Sequence, residues 1–174
     1  MAQHGWSERN LAESATLFAL AYRAGLANLE GKASFFIQPA DLEMDLKGGV
    51  DFRIRRNNNF LRVDATDSRR QKPTKIRRTV EFAKGGGRWV YILKVDWMEA
   101  SSIAIDPCFT RAYDQFIHGR DGQFIAIDRA CPIHGNECVL ARKLWNFGES
   151  INRTLASSKT QAHDFVIPVS KPPF

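Results

Sequence analysis

The chain has 174 residues, 44% of them hydrophobic and 25% charged, with a formal charge of +6 and three cysteines. That is the size of one ordinary soluble domain, 1–174, with enough apolar side chains for a real core. No apolar run approaches the roughly 20 residues that cross a bilayer, and "MAQHGWSERNL" lacks the charged start and apolar stretch of a secretory signal. A membrane-spanning or secreted protein is excluded on this reading, and the expected location is cytoplasmic.

"NLAESATLFALAYRAGLANLEG" carries Leu11, Phe18, Tyr22, Gly25, Leu26 and Leu29 at spacings of three, four and seven, which predicts a helix ending at Gly31 with its apolar stripe against a sheet. "ASFFIQPA" reads as a short strand ended by Pro39. The stretch 49–66, "GVDFRIRRNNNFLRVDAT", predicts a tight hairpin. "RRQKPTKIRRTVEFAKGGG" predicts a loop and a short helix from near Pro73 to the glycine triplet. From Arg88 to Trp97, "RWVYILKVDW" predicts a buried strand. Trp89, Tyr91 and Trp97 share a face of it, and core packing is preferred there over base stacking. A helix "TRAYDQFIHG", a strand "QFIAID", a helix "VLARKLWNFGESINRTLASS" and an extended "DFVIPV" follow. "NRT" at Asn152 fits the glycosylation acceptor pattern, which carries no weight without a secretion signal. The pattern is that of an α/β chain with a central mixed sheet flanked by helices.

Alternate residues of a strand face opposite sides, so the apolar faces of the hairpin coincide in one register. A two-residue turn at Asn57 and Asn58, residues that tolerate positive φ, pairs Ile54 with Leu61, Phe52 with Val63 and Val50 with Ala65. Asp51 then falls across from Asp64, and Arg53 across from Arg62. Like charges directly opposite cost roughly 0.2–1 kcal/mol per pair. A divalent cation held by both carboxylates would resolve the first row and phosphate oxygens the second. Mg²⁺ or Mn²⁺ suits such a site, because hard cations favour one or two carboxylates plus substrate phosphate. The other resolutions are that the register differs from this one, or that neighbouring arginines satisfy both acids.

The positive charge is local. From Arg53 to Arg78 ten basic residues (Arg53, Arg55, Arg56, Arg62, Arg69, Arg70, Lys72, Lys75, Arg77 and Arg78) stand against Asp64 and Asp67, a surplus of eight that leaves the rest of the chain at about −2. Such a concentration is the footprint of a polyanion, here nucleic acid and expected to be DNA; a solvated charged face is the plainer use. Oligomeric state is not set by the sequence, and a homodimer is compatible with it.

This arrangement resembles the PD-(D/E)xK nuclease superfamily, with "VD" at Val50 and Asp51 as the first half of the motif and "DAT" at Asp64 to Thr66 as the second. The resemblance covers about residues 8–97 and implies a restriction-endonuclease-like αβββαβ core, with a C-terminal extension over about 98–174 left unmatched. It implies a Mg²⁺-dependent endonuclease that hydrolyses DNA phosphodiester bonds, with Asp51 and Asp64 on the metal. It also implies that a glutamate of the first helix can assist. Here that is Glu13, whose carboxylate "NLAE" could equally use as a capping box with Asn10. Thr66 departs from the family, which expects a lysine there to serve the attacking water and the developing charge. Lys75, in preference to Lys72, could reach back to supply it. The alternative is a nuclease fold that binds nucleic acid without cutting it.

"CPIHGNEC" places Cys131, His134 and Cys138 at a spacing that could hold zinc, with Cys108 or His118 as a fourth ligand. Buried reduced thiols in a cytosolic chain are the plainer reading. Zinc, if bound, would be structural and would staple this irregular stretch.

Overall fold

The computed structural model describes residues 8–41, 49–67, 90–119 and 122–174. Helix α1 (Glu8–Leu29) is rich in alanine and leucine, both strong helix formers. The sequence predicts one apolar stripe on it, yet Ala15, Leu17, Phe18, Ala19, Leu20, Ala21, Tyr22 and Ala24 are all buried, so the helix is covered on every side. Its neighbours give the reason. The sheet lies against one side of it, and two of the later helices pack against it as well. The helix ends as predicted at Gly31, whose φ of 67° is left-handed. Asn28 then ties the helix end to the sheet, donating Nδ2–H to the Phe35 carbonyl at 2.8 Å and accepting the Phe35 N–H at 2.9 Å.

The sheet has four strands in the order β1 (Phe35–Pro39), β2 (Phe52–Arg56), β3 (Asn59–Asp67) and β4 (Val90–Val95). The first three form an antiparallel meander, and β4 runs parallel to β3. This is the α/β class with a mixed sheet and helices that the sequence predicts. The hairpin turns at Asn57 and Asn58, with Asn57 at φ 52°. Phe52 pairs with Val63, Arg53 with Arg62 and Ile54 with Leu61. Phe35, Ile37, Phe52, Ile54, Val63 and Leu93 are fully buried in one core with α1. A parallel partner requires a crossover. Residues 68–89, which hold the helix predicted from Pro73 and the start of the strand predicted from Arg88, lie outside the described residues.

Three predicted elements differ. The strand predicted to run to Trp97 ends at Val95, because the Asp96 side chain accepts the Glu99 N–H at 3.0 Å and caps helix α2 (Trp97–Ala104). Trp97 therefore shares no strand face with Tyr91. "QFIAID" forms no strand; Ile125 alone bridges to Ile37, and the chain then settles onto α1 through Ile127 N–H to the Ala21 carbonyl at 3.0 Å. "DFVIPV" begins inside a 3-10 turn, Gln161–Phe165. Helices α3 (Phe109–His118) and α4 (Val139–Ala156) form where predicted. Asn152 is buried in α4, where its amide exchanges two hydrogen bonds with Ile167, so the acceptor pattern there is a staple for the C-terminal segment. Where α4 crosses α1, Arg23 is 1% exposed, pairs with Glu149 at 2.8 Å and lies 4.5 Å over the Trp145 ring. Burial lowers the pKa of this guanidinium, against the opposing pull of Glu149. No helix among the described residues is long and apolar enough to cross a membrane.

Candidate functional site

Two groups of potential ligands stand out, one on the hairpin and one between α3 and α4. On the hairpin, the sequence predicts direct pairing of Asp51 with Asp64 and of Val50 with Ala65. The ladder instead ends at Phe52 and Val63. Asp51 donates its N–H to the Val63 carbonyl at 2.9 Å, so two consecutive residues address one partner, as at a β-bulge. Its Oδ2 accepts the Ala65 N–H at 2.7 Å, and its own carbonyl accepts the Ala40 N–H at 3.0 Å. Asp51 is therefore bonded to both chain neighbours of Asp64. Asp64 is fully buried, on the face opposite Val63 and Ala65.

Thr66 lies on the same face as Asp64, two residues along β3. Its parallel partner is Lys94, an exposed residue of β4 on that face. The sequence reading missed Lys94, because the neighbour of Thr66 is visible only once β4 is known to run parallel to β3. Glu13 lies in α1, which begins at Glu8, so Asn10 sits inside the helix and not at a cap position. The charge of Glu13 is felt by Tyr113 of α3. Lys72, Lys75, Arg69, Arg70, Arg77 and Arg78 lie outside the described residues.

Of the remaining arginines, Arg62 pairs with Arg53 across the hairpin, and Arg53, Arg55 and Arg56 are layered with aromatic rings. Arg53 sits 5.2 Å over Phe60 and donates to Gln38 Oε1. Arg55 lies between Phe36 at 4.7 Å and Phe124 at 4.2 Å. Arg56 stacks on Phe35 at 5.6 Å and donates to the Asp164 carbonyl. Each cation is held partly by a ring quadrupole. The Arg53–Arg62 row is therefore eased by a ring and an amide within the chain itself.

The second group is built by three turns. Cys108 and Cys138 occupy the N-cap positions of α3 and α4, so each thiol sits at the start of a helix. Between Cys131 and Cys138 the chain reverses through Gly135, at φ 60°, with Gly135 N–H to the Cys131 carbonyl at 2.9 Å. Asn136 fixes this loop by accepting from Tyr22 Oη at 2.8 Å and from the Ala130 N–H at 3.1 Å. The ligand atoms of Cys108, Cys131, His134 and Cys138 all lie within 4.8 Å of one another. His134 Nδ1 is 3.6 Å from both Cys108 Sγ and Cys131 Sγ. Donors at Zn–S of about 2.3 Å and Zn–N of about 2.05 Å at the tetrahedral angle stand about 3.5–3.6 Å apart, which matches. This Cys3His group could hold a metal ion, and its soft donors suit zinc better than magnesium. Cys108 is the fourth member. His118 instead turns its Nδ1 to the Asp114 carbonyl at 2.8 Å. Burial pushes the Cys108 thiol up to about 12. At Cys131 burial acts the same way, but hydrogen bonds from the backbone N–H groups of His134 and Ile133 outweigh it and bring the thiol to about 7.

No family model, curated protein or solved structure matches the chain.

Proposed function

We propose that the chain is a divalent-metal-dependent endonuclease of the PD-(D/E)xK type, cutting DNA at Asp51 and Asp64, with a structural zinc ion in the Cys108, Cys131, His134 and Cys138 cluster. The observation that supports the reading is the bonding of Asp51 to both chain neighbours of Asp64, which sets the two acidic residues beside one another at the end of a β-meander. The parallel β4 beside β3 gives the described elements the same order as the αβββαβ core. Two carboxylates are hard oxygen donors and fit Mg²⁺ or Mn²⁺. Such an ion, when bound, polarises the phosphate and eases deprotonation of water. Asp51 and Asp64 hold it. Lys94, beside Thr66, offers positive charge to the phosphate where the family carries its lysine, a role that Lys75 could share. The arginines of the hairpin orient the backbone of the substrate without reading its sequence.

A second reading has its own support. Thr66 stands in place of the lysine, and Arg53, Arg55 and Arg56 are positioned by rings, an amide and a carbonyl of the chain itself, as suits a zinc-stapled binding module that does not cut. Supercoiled plasmid separates the two. The endonuclease nicks it in Mg²⁺ or Mn²⁺, more slowly as Lys94→Met and not at all as Asp64→Ala. A salt-sensitive gel shift without nicking leaves the binding module.

A further inference from the structure

The hairpin tip and the 3-10 turn Gln161–Phe165 enclose a cavity of about 580 Å³ that the two carboxylates do not reach into. Pockets of roughly 300–1,000 Å³ suit small ligands, and a nucleotide unit is in that range. Its walls are unlike an ordinary charged surface. Asn57, Asn58 and Asn59 line it with exposed amides, each able to donate and accept. Arg56 and Arg62 supply the positive charge, and Arg56 is already fixed by the Asp164 carbonyl and the Phe35 ring. Phe60 is 36% exposed, a high value for a phenylalanine, and is braced by Arg53 and by the Phe124 ring at 5.8 Å. Asp164, the acidic residue of the lining, has its carboxylate 2.9 Å from the imidazole of His163.

We infer that this cavity binds a single-stranded nucleic-acid segment, with a base on Phe60, its edge against the asparagine amides and the adjoining phosphates on Arg56 and Arg62. A duplex keeps its base faces stacked on one another and offers none to Phe60, whereas an unpaired strand offers one at every nucleotide. Guanidinium groups grip phosphate oxygens in either case, so the aromatic ring makes the distinction. The inference rests on the nucleic-acid reading above and adds the kind of strand that the site engages. A flap, a gap or a frayed end beside a duplex would place such a segment next to the hairpin.

The test is fluorescence anisotropy with a labelled oligonucleotide, single-stranded and annealed to its complement, in buffer without added magnesium. The full-length chain is expected to favour the single strand, and Phe60→Ala to weaken that binding by roughly 5- to 150-fold, the range of base–aromatic stacking, while duplex binding stays unchanged. Asn58→Glu alters an exposed turn residue that bears on no core packing; it is expected to weaken single-strand binding as well and keeps the test decisive if Phe60→Ala folds poorly. Arg56→Gln is expected to lower the salt slope by about 0.7, one phosphate contact on a single strand. Equal affinity for both forms, or unchanged single-strand binding in folded Phe60→Ala and Asn58→Glu, overturns the inference alone. Failure to bind either form overturns the nucleic-acid reading with it.

Discussion

The Oδ2 atom of Asp51 accepts the Ala65 N–H at 2.7 Å, so a side chain closes the ladder between β2 and β3 where the backbone register has slipped. Asp51→Ala leaves a partly buried donor without its acceptor, at a cost of about 1–3 kcal/mol. Asp51→Asn keeps an acceptor of the same shape and should cost only about 1 kcal/mol, the difference between a charged and a neutral acceptor. Both should abolish nicking. Urea denaturation beside the plasmid assay separates the structural role of Asp51 from its metal-holding one.

Gly25 faces the chain at Ile127, and a Cβ built there would stand 2.0 Å from the Ile127 carbonyl oxygen. In an open helix position, replacing glycine with alanine stabilises by about 1 kcal/mol. Here the sign should reverse. Gly25→Ala is expected to destabilise by about 1–3 kcal/mol through overpacking against backbone that is bonded in place. A midpoint shift upward in denaturant would show that the segment is free to move away.

The hairpin was legible because its alternation and its asparagine turn leave one register in which both apolar faces agree. The bulge at Asp51 was not legible, since it depends on a carboxylate bonding across the ladder. Trp97 was misread because an aromatic run continued past the strand, although Asp96 followed three residues later by Glu99 is a helix-start signal in plain view. The strand expected over "QFIAID" is absent for a different reason: with Ile127 bonded to Ala21 beside Gly25, that segment is held by α1 and not by a second strand. In the Cys3His cluster the three residues of one loop could be read from spacing. Cys108 could not be chosen over His118, because helix α3 separates it from the loop and only folding brings it back.

Tyr22 and Tyr113 give the fold an alkaline limit. Burial raises both; at Tyr22 the charge of Asp128 reinforces it, and Tyr113 reaches about 12, with the Ser14 hydrogen bond opposing and the charge of Glu13 adding. An unfolded tyrosine ionises near 10. Above that pH the unfolded chain binds fewer protons than the native one, so stability is full below about pH 10 and falls as pH rises toward 12, by about 1 kcal/mol per unit per tyrosine. Denaturation midpoints from pH 9 to 11 check this. Tyr113→Phe should flatten the slope, and an unchanged slope would mean that Tyr113 titrates normally.

The metal cluster predicts one zinc per chain by elemental analysis. Cys108→Ser should lose it and His118→Ala should keep it, the reverse of what a His118 ligand would give. An ion that binds only the folded state stabilises it by about 2.7 kcal/mol at a hundredfold excess over its Kd. Chelation should therefore lower the unfolding midpoint of the wild-type chain and leave that of Cys108→Ser where it is.

Mn²⁺ titrated into the zinc-loaded chain, with free ion followed by its electron paramagnetic resonance signal, addresses the carboxylates directly. One Mn²⁺ should bind per chain, and Asp51→Asn and Asp64→Asn should each weaken it by about tenfold or more while the zinc content stays at one. Binding that survives both substitutions unchanged, or no binding by the wild-type chain, would contradict a shared cation at Asp51 and Asp64.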